Sequence, residues 1–143
     1  FSHKKEHFYR SILEGIAYEY ATYLSQVRRI YPDLKIASVR GVGGGSQSHV
    51  WNQIKSSVLN LPYQNLKTSE CGVVGSAFLA GLGVGAIADP GDAIKRFVIT
   101  DQDWTPDASQ AAVYRRIIPI YTQLLESSGT IHKLIYQSAT RGA

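Results

Sequence analysis

The chain has 143 residues, of which 44% are hydrophobic and 18% charged, and a formal net charge of +4. That composition permits one packed domain of ordinary size and excludes wholesale disorder. The single cysteine, Cys71, excludes an internal disulfide and suits a reducing, cytoplasmic setting.

The basic residues fall in short pairs, Lys4-Lys5, Arg28-Arg29 and Arg115-Arg116. None is long enough for a nucleic-acid-binding arm, so they read as solvated helix faces. Methionine is absent, even at position 1, so the sequence is expected to be part of a longer protein. Its opening residues, FSHKKEHFYR, lack the apolar core of a signal peptide.

Residues 7–31 read as a long amphipathic helix. Phe8, Ile12, Ile16, Tyr20, Tyr23, Val27 and Ile30 recur every three or four positions and form the expected buried stripe. Gly15 interrupts it, which implies close packing there, since glycine in a helix costs about 1 kcal/mol relative to alanine. Pro32-Asp33 ends the helix. Lys35–Val42 is a short apolar strand broken by Gly43-Gly44-Gly45. Ser46 or Ser48 then caps a helix whose inner face carries Trp51, Ile54, Val58 and Leu61, and Asn60 and Pro62 mark its end. The register of Trp51 with Ile54 and Val58 places it in the core rather than against a ligand.

Residues 62–66 read as an extended connection. Thr68 or Ser69 caps a third helix, with Glu70 in its first turn, where the dipole favours an anion. Residues 71–88 carry no charge over 18 positions, near the lower limit for a membrane span. Five glycines crowd the segment, so a helix packed tightly into a globular core is expected instead. Asp89-Pro90 opens a short helix, residues 97–100 a strand, and Asp107 caps the last long helix with Gln110 at the capping-box position. There Val113, Ile117, Tyr121 and Leu124 share one side, Pro119 predicts a kink, and fraying is expected past Gly129. Alternating helices with two or three strands indicate an α/β layered domain.

The strand–glycine–helix passage GVGGGS, residues 41–46, is the feature with chemical content. Glycines let a backbone approach a ligand where a Cβ would clash, and a helix N-terminus presents free N–H groups. Neither familiar phosphate fingerprint fits. The dinucleotide pattern needs glycine where Ser46 stands, and the phosphate loop needs a lysine directly after the glycines. His3 and His7 are spaced for a metal, but no third ligand is near in sequence. Cys71 has no histidine partner nearby and reads as a small buried residue.

Four stretches together resemble the C-terminal domain of the FGGY carbohydrate kinases, in particular the xylulose kinases. They are HFYRSILEG at residues 7–15, GGGSQSHVWNQI at 43–54, SECGVVGSAFLA at 69–80, and the helix around Tyr114–Tyr121 that contains Pro119. The resemblance runs from Glu6 to about Leu125 with the stretches in family order. It implies an α/β fold that is part of an actin-like (ribonuclease H-like) ATPase domain. Residues 1–143 would be a C-terminal nucleotide-binding lobe fragment of a two-lobed sugar kinase, with the tail after about residue 129 frayed.

The resemblance also implies that Gly43, Gly44 and Gly45 form the adenosine-binding turn. Ser48 stands where a small polar residue faces the base, and it can cap the helix as well. The helix after Glu70 would close the underside of the nucleotide pocket, with Glu70 itself in a cap or dipole role. ATP and Mg2+ are the implied cofactors, the metal held mainly through the nucleotide and the other lobe. The catalytic base is expected in that other lobe, so no catalytic residue is assigned here. The implied reaction is phosphorylation of a sugar, foremost D-xylulose, with gluconate, ribulose, rhamnulose, fuculose and glycerol as alternatives. The expected partners are the sugar and ATP, with no nucleic acid and no membrane, and a homodimer of the parent stays open. A non-enzymatic actin-like ATPase lobe and a basic nucleic-acid-binding module are the competing classes.

Overall fold

The computed structural model describes residues 2–68 and 70–140. Ser69, one of the two expected caps of the third helix, lies outside them. Five helices surround a three-stranded sheet, in the order α1 (Lys5–Ile30), β1 (Val39–Gly41), a 3-10 turn (Gly44–Gln47), α2 (His49–Leu59), β2 (Tyr63–Leu66), α3 (Cys71–Gly83), α4 (Pro90–Phe97), β3 (Thr100–Trp104) and α5 (Ala108–Thr140). The sheet order is β1-β2-β3; β1 runs parallel to β2 and β3 antiparallel to it.

Helix α2 is the centre of the domain, packed against α1, α5, β2 and β3. Its one-sided apolar pattern understates its burial, because Asn52 and every residue from Ile54 to Leu59 are buried. The polar residues among them are all bonded. Ser56 Oγ sits 2.8 Å from the Leu61 carbonyl and 3.0 Å from that of Trp104, which ties the end of α2 to β3. Ser57 Oγ accepts from the Asp107 amide at 3.1 Å. Buried polar groups paired in this way avoid a desolvation penalty of ~1–3 kcal/mol each. The helix ends at Asn60, whose left-handed φ of 51° is the conformation asparagine tolerates best after glycine.

The core joins Ala17 and Tyr18 of α1, Ile54 and Val58 of α2, and Tyr114 of α5, with Leu13, Ala21, Ile117, Ile118 and Tyr121 packed around it. This corrects the expected faces of both long helices. Phe8 is 72% exposed and Tyr23 57%, and Ile12, Val27 and Ile30 are exposed too. The face of α1 that α2 and α5 cover is instead Leu13-Ala17-Tyr18-Ala21, where small alanines let helices approach. On α5, Val113 and Leu124 are likewise exposed, while Ala111 and Tyr114 are buried. A polar cluster seals α1 to α5. Arg10 bonds Glu14 at 2.7 Å and donates to the Tyr114 hydroxyl at 2.9 Å, and that hydroxyl donates to Glu14 at 2.7 Å. Gln110 accepts from Arg10 at 3.2 Å, whereas the capping-box pattern aims that side chain at the helix start.

Other expectations shift as well. Nothing lies within 4 Å of a Cβ built on Gly15, so no close packing explains that glycine. The first strand forms over Val39–Gly41 only, the residues that find β2 as a partner. The expected connection at 62–66 is β2, the central strand. The last strand is Thr100–Trp104 rather than 97–100, because α4 keeps Phe97 and the Val98 amide bonds back to Ile94 at 2.8 Å. An edge strand needs no apolar face if side chains hold it, and Gln102 N donates to Asn65 Oδ1 at 2.8 Å. No residue of α3 is buried, and Leu79 is 68% exposed, contrary to the expected tightly packed helix. Among the described residues no helix is long and apolar enough to cross a membrane. The expected caps at Asp89 and Asp107 are present, Asp107 accepting from the Gln110 amide at 2.8 Å. Helix α5 contains Pro119 and continues past Gly129 to Thr140.

Candidate functional site

Strand β1 delivers the chain into the glycine turn. Gly43 has φ 80° and ψ 179°, a region open in practice to glycine alone. One turn of 3-10 helix follows, and Ser46 closes it twice: its amide donates to the Gly43 carbonyl at 3.0 Å and its hydroxyl to the same oxygen at 2.7 Å. Ser46 is therefore buried inside the turn, and Ser48 takes the cap of α2, accepting from the Trp51 amide at 3.3 Å. The three glycines differ in kind. Gly43 supplies a backbone angle. A Cβ on Gly44 would meet nothing within 4 Å, and one on Gly45 would stand 2.5 Å from the Trp51 ring.

Trp51 is half-buried rather than enclosed in the core. Its indole N–H donates to the Leu13 carbonyl at 3.3 Å, and its ring forms one wall of a cavity of about 570 Å³. Tyr20 and Tyr23 of α1, Gly45, Lys55 and Tyr63 also line that cavity. So the exposed aromatic residues of α1 face the inner side of the turn. Gly43, Gly44 and Ser48 do not line it.

Lys55 was not legible as a site residue, and it is the most unusual group here. It is 3% exposed. Its ammonium lies 3.9 Å from the centre of the Trp51 ring and 4.9 Å from that of Tyr63. It donates to Asn52 Oδ1 at 3.3 Å, the Tyr63 hydroxyl at 3.2 Å and the Gly45 carbonyl at 3.5 Å. Every one of these partners is neutral, and burial pushes the lysine down to about 8. Burial, with Tyr20 nearby, pushes the Tyr63 hydroxyl up. The available signal was helical register: Lys55 falls one turn after Trp51, on the same face.

The remaining candidates are placed as follows. Glu70 stands at the N-cap of α3, but its side chain does not cap that helix. Cys71 is half-buried, with its thiol 3.5 Å from the Thr68 carbonyl. It borders a smaller apolar cavity of about 260 Å³ with Val42, Leu66 and Phe78. His3 and His7 meet edge to face at 5.8 Å, and His7 Nδ1 accepts from the Lys4 amide at 3.0 Å. Among the described residues no three metal-ligating side chains converge.

Comparison with known proteins gives concordant likenesses. Residues 1–84 match the family model described as the FGGY family of carbohydrate kinases, C-terminal domain. A xylulose kinase of Staphylococcus epidermidis is 25% identical over 126 residues, covering 88% of this chain and 25% of the relative. An L-fuculokinase of Escherichia coli is 37% identical over 87 residues, covering 61% of this chain and 18% of the relative. Among solved structures, gluconate kinase from Lactobacillus acidophilus superposes with a TM-score of 0.76 at 23% identity, over 88% of this chain and 25% of that one. The chain spans about a quarter of the length of that xylulose kinase and of that gluconate kinase.

Proposed function

Because the chain belongs to the FGGY family of carbohydrate kinases, with the α/β, actin-like fold of that family's C-terminal lobe, we propose that its parent protein phosphorylates a sugar with ATP. The foremost substrate is D-xylulose, giving D-xylulose 5-phosphate, in the cytoplasm. Residues 1–143 supply the adenosine-binding part of the lobe. Gly43, Gly44 and Gly45 lay backbone against the adenosine, and Ser48 presents its hydroxyl oxygen at the rim as it caps α2.

One observation carries this reading: the face of the turn at Gly44 is bare. With nothing within 4 Å of its Cβ position, a planar base can rest on the backbone there. On the inner side, a Cβ on Gly45 would meet the Trp51 ring at 2.5 Å. ATP brings the phosphoryl group, and Mg2+ its charge neutralisation. The residues described here converge on no metal, so the cation is assigned to the nucleotide phosphates and to protein outside this chain. This chain's part is position: a nucleotide held at its adenosine end directs its far phosphate toward the sugar. The base that takes the sugar hydroxyl proton lies outside residues 1–143, so this segment alone is inactive.

The test is Gly44→Val in the full-length protein. A Cβ there has nothing within 4 Å among the described residues, so the variant is expected to fold, while its side chain fills the place of the base. Loss of ATP binding is expected; binding as in the wild type sinks the assignment. A panel of D-xylulose, gluconate, L-fuculose, L-ribulose, L-rhamnulose and glycerol identifies the acceptor. The L-fuculokinase likeness makes fuculose the second reading. ATP hydrolysis indifferent to every sugar would favour a non-enzymatic actin-like ATPase instead. Phosphorylation of D-xylulose by purified residues 1–143 alone would refute the division of labour.

A further inference from the structure

We propose that Lys55 and Asn52 are positioning residues that hold the glycine turn in its nucleotide-accepting shape from beneath; this rests on the adenosine reading above. Three carbonyls of the turn are bonded from within. Gly43 O is taken by Ser46, Ser46 O by Asn52 Nδ2 at 2.7 Å, and Gly45 O by the Lys55 ammonium at 3.5 Å. Lys55 also donates to Asn52 Oδ1 at 3.3 Å, so the two side chains act as one clamp. Asn52 is 0% exposed. With its carbonyls drawn inward, the turn leaves its Gly44 face bare for the ligand.

The clamp depends on charge. A protonated amine is a stronger donor to Gly45 O than a neutral one, and only the cation is drawn to the faces of Trp51 and Tyr63. Trp51 in turn lies against Gly45, so a loosened indole frees the turn. Around Lys55 stand Tyr63 of β2 and, across the cavity, Arg40 of β1 and Tyr20 and Tyr23 of α1. Burial pushes Tyr63 up, away from the lysine range, and lowers Lys55 to about 8, so Lys55 changes charge in mildly alkaline solution.

The experiment measures ADP binding to the full-length protein by calorimetry between pH 7 and 9.5, a range in which the phosphates do not titrate. For the wild type, the Kd is expected to rise roughly fivefold to tenfold across about pH 8, the scale of one charge-assisted hydrogen bond. Lys55→Met should show that weakened affinity already at pH 7, with no further pH dependence. Lys55→Arg, charged throughout, should restore affinity and also flatten the profile. A merely structural lysine would give a pH-independent Kd. The clamp is overturned by a flat wild-type profile, or by Lys55→Met binding as wild type, while Gly44→Val abolishes binding. If Gly44→Val itself binds ADP normally, the adenosine reading falls instead.

Discussion

Burying Lys55 among neutral groups should leave a signature in stability against pH. The perturbation is Lys55→Met, which keeps the length of the stem and removes the charge. In the folded protein the lysine is lowered from 10.5 to about 8 by burial. At 1.36 kcal/mol per unit, the charged form is disfavoured by about 3 kcal/mol relative to the unfolded chain. The sign follows from proton binding. Between pH 8 and 10 the unfolded chain holds the proton more tightly than the folded one, so stability rises with pH. The penalty is fully present below pH 8 and fades as the folded lysine deprotonates. The assay is chemical denaturation of full-length wild type and Lys55→Met at several pH values from 7 to 10. The upper limit stays below the range in which tyrosines such as Tyr63 and Tyr114, both pushed up by burial, begin to matter. The difference between the two proteins should move in favour of wild type by about 2–3 kcal/mol. A difference that stays flat, or moves the other way, refutes the account of Lys55 as an uncompensated buried cation.

Other outcomes follow from single residues. Gly43→Ala should destabilise the domain by ~1–3 kcal/mol, the cost of forcing a Cβ into a glycine-only region, whereas Gly44→Ala should change thermal stability by a few tenths of a kcal/mol. Ile54, 1% exposed between α1 and α5, should lose ~2–5 kcal/mol on mutation to alanine. Tyr114→Phe removes one bond from Arg10 and one to Glu14 and should cost ~1–2 kcal/mol. A double-mutant cycle with Glu14→Gln should show coupling, and additive losses would mean that the α1–α5 cluster is not a network.

Features decided within a few residues were legible in the sequence. Ser48, Asp89 and Asp107 cap the helices they precede, and Asn60 takes the left-handed angle at the end of α2. The glycine passage is the turn its composition demanded. In each case the physics is local: a donor three residues away, or an allowed φ. Where the answer depended on a distant partner, the reading failed. Lys55 was not singled out in the sequence, because nothing in its neighbourhood reveals that Tyr63 of β2 closes over it. Residues 100–103 were too polar for a buried strand, and only Asn65 and Gln64 of β2 explain why they pair. The faces of α1 and α3 are the sharpest case. The stripe from Phe8 to Ile30 and the apolar run of α3 were read as core, yet Phe8 is 72% exposed and Leu79 68%. A hydrophobic stripe says that a face suits burial, not which neighbour buries it. Half of α1's apolar surface found its neighbour in α2 and α5, and it was the half with alanines, because helix–helix approach rewards small residues. In a chain spanning about a quarter of its relatives' length, a neighbour for the other half can lie outside these 143 residues. Within this chain the stripe from Phe8 to Ile30 stays largely exposed, and the face one step round the helix, Leu13-Ala17-Tyr18-Ala21, is the one that packs.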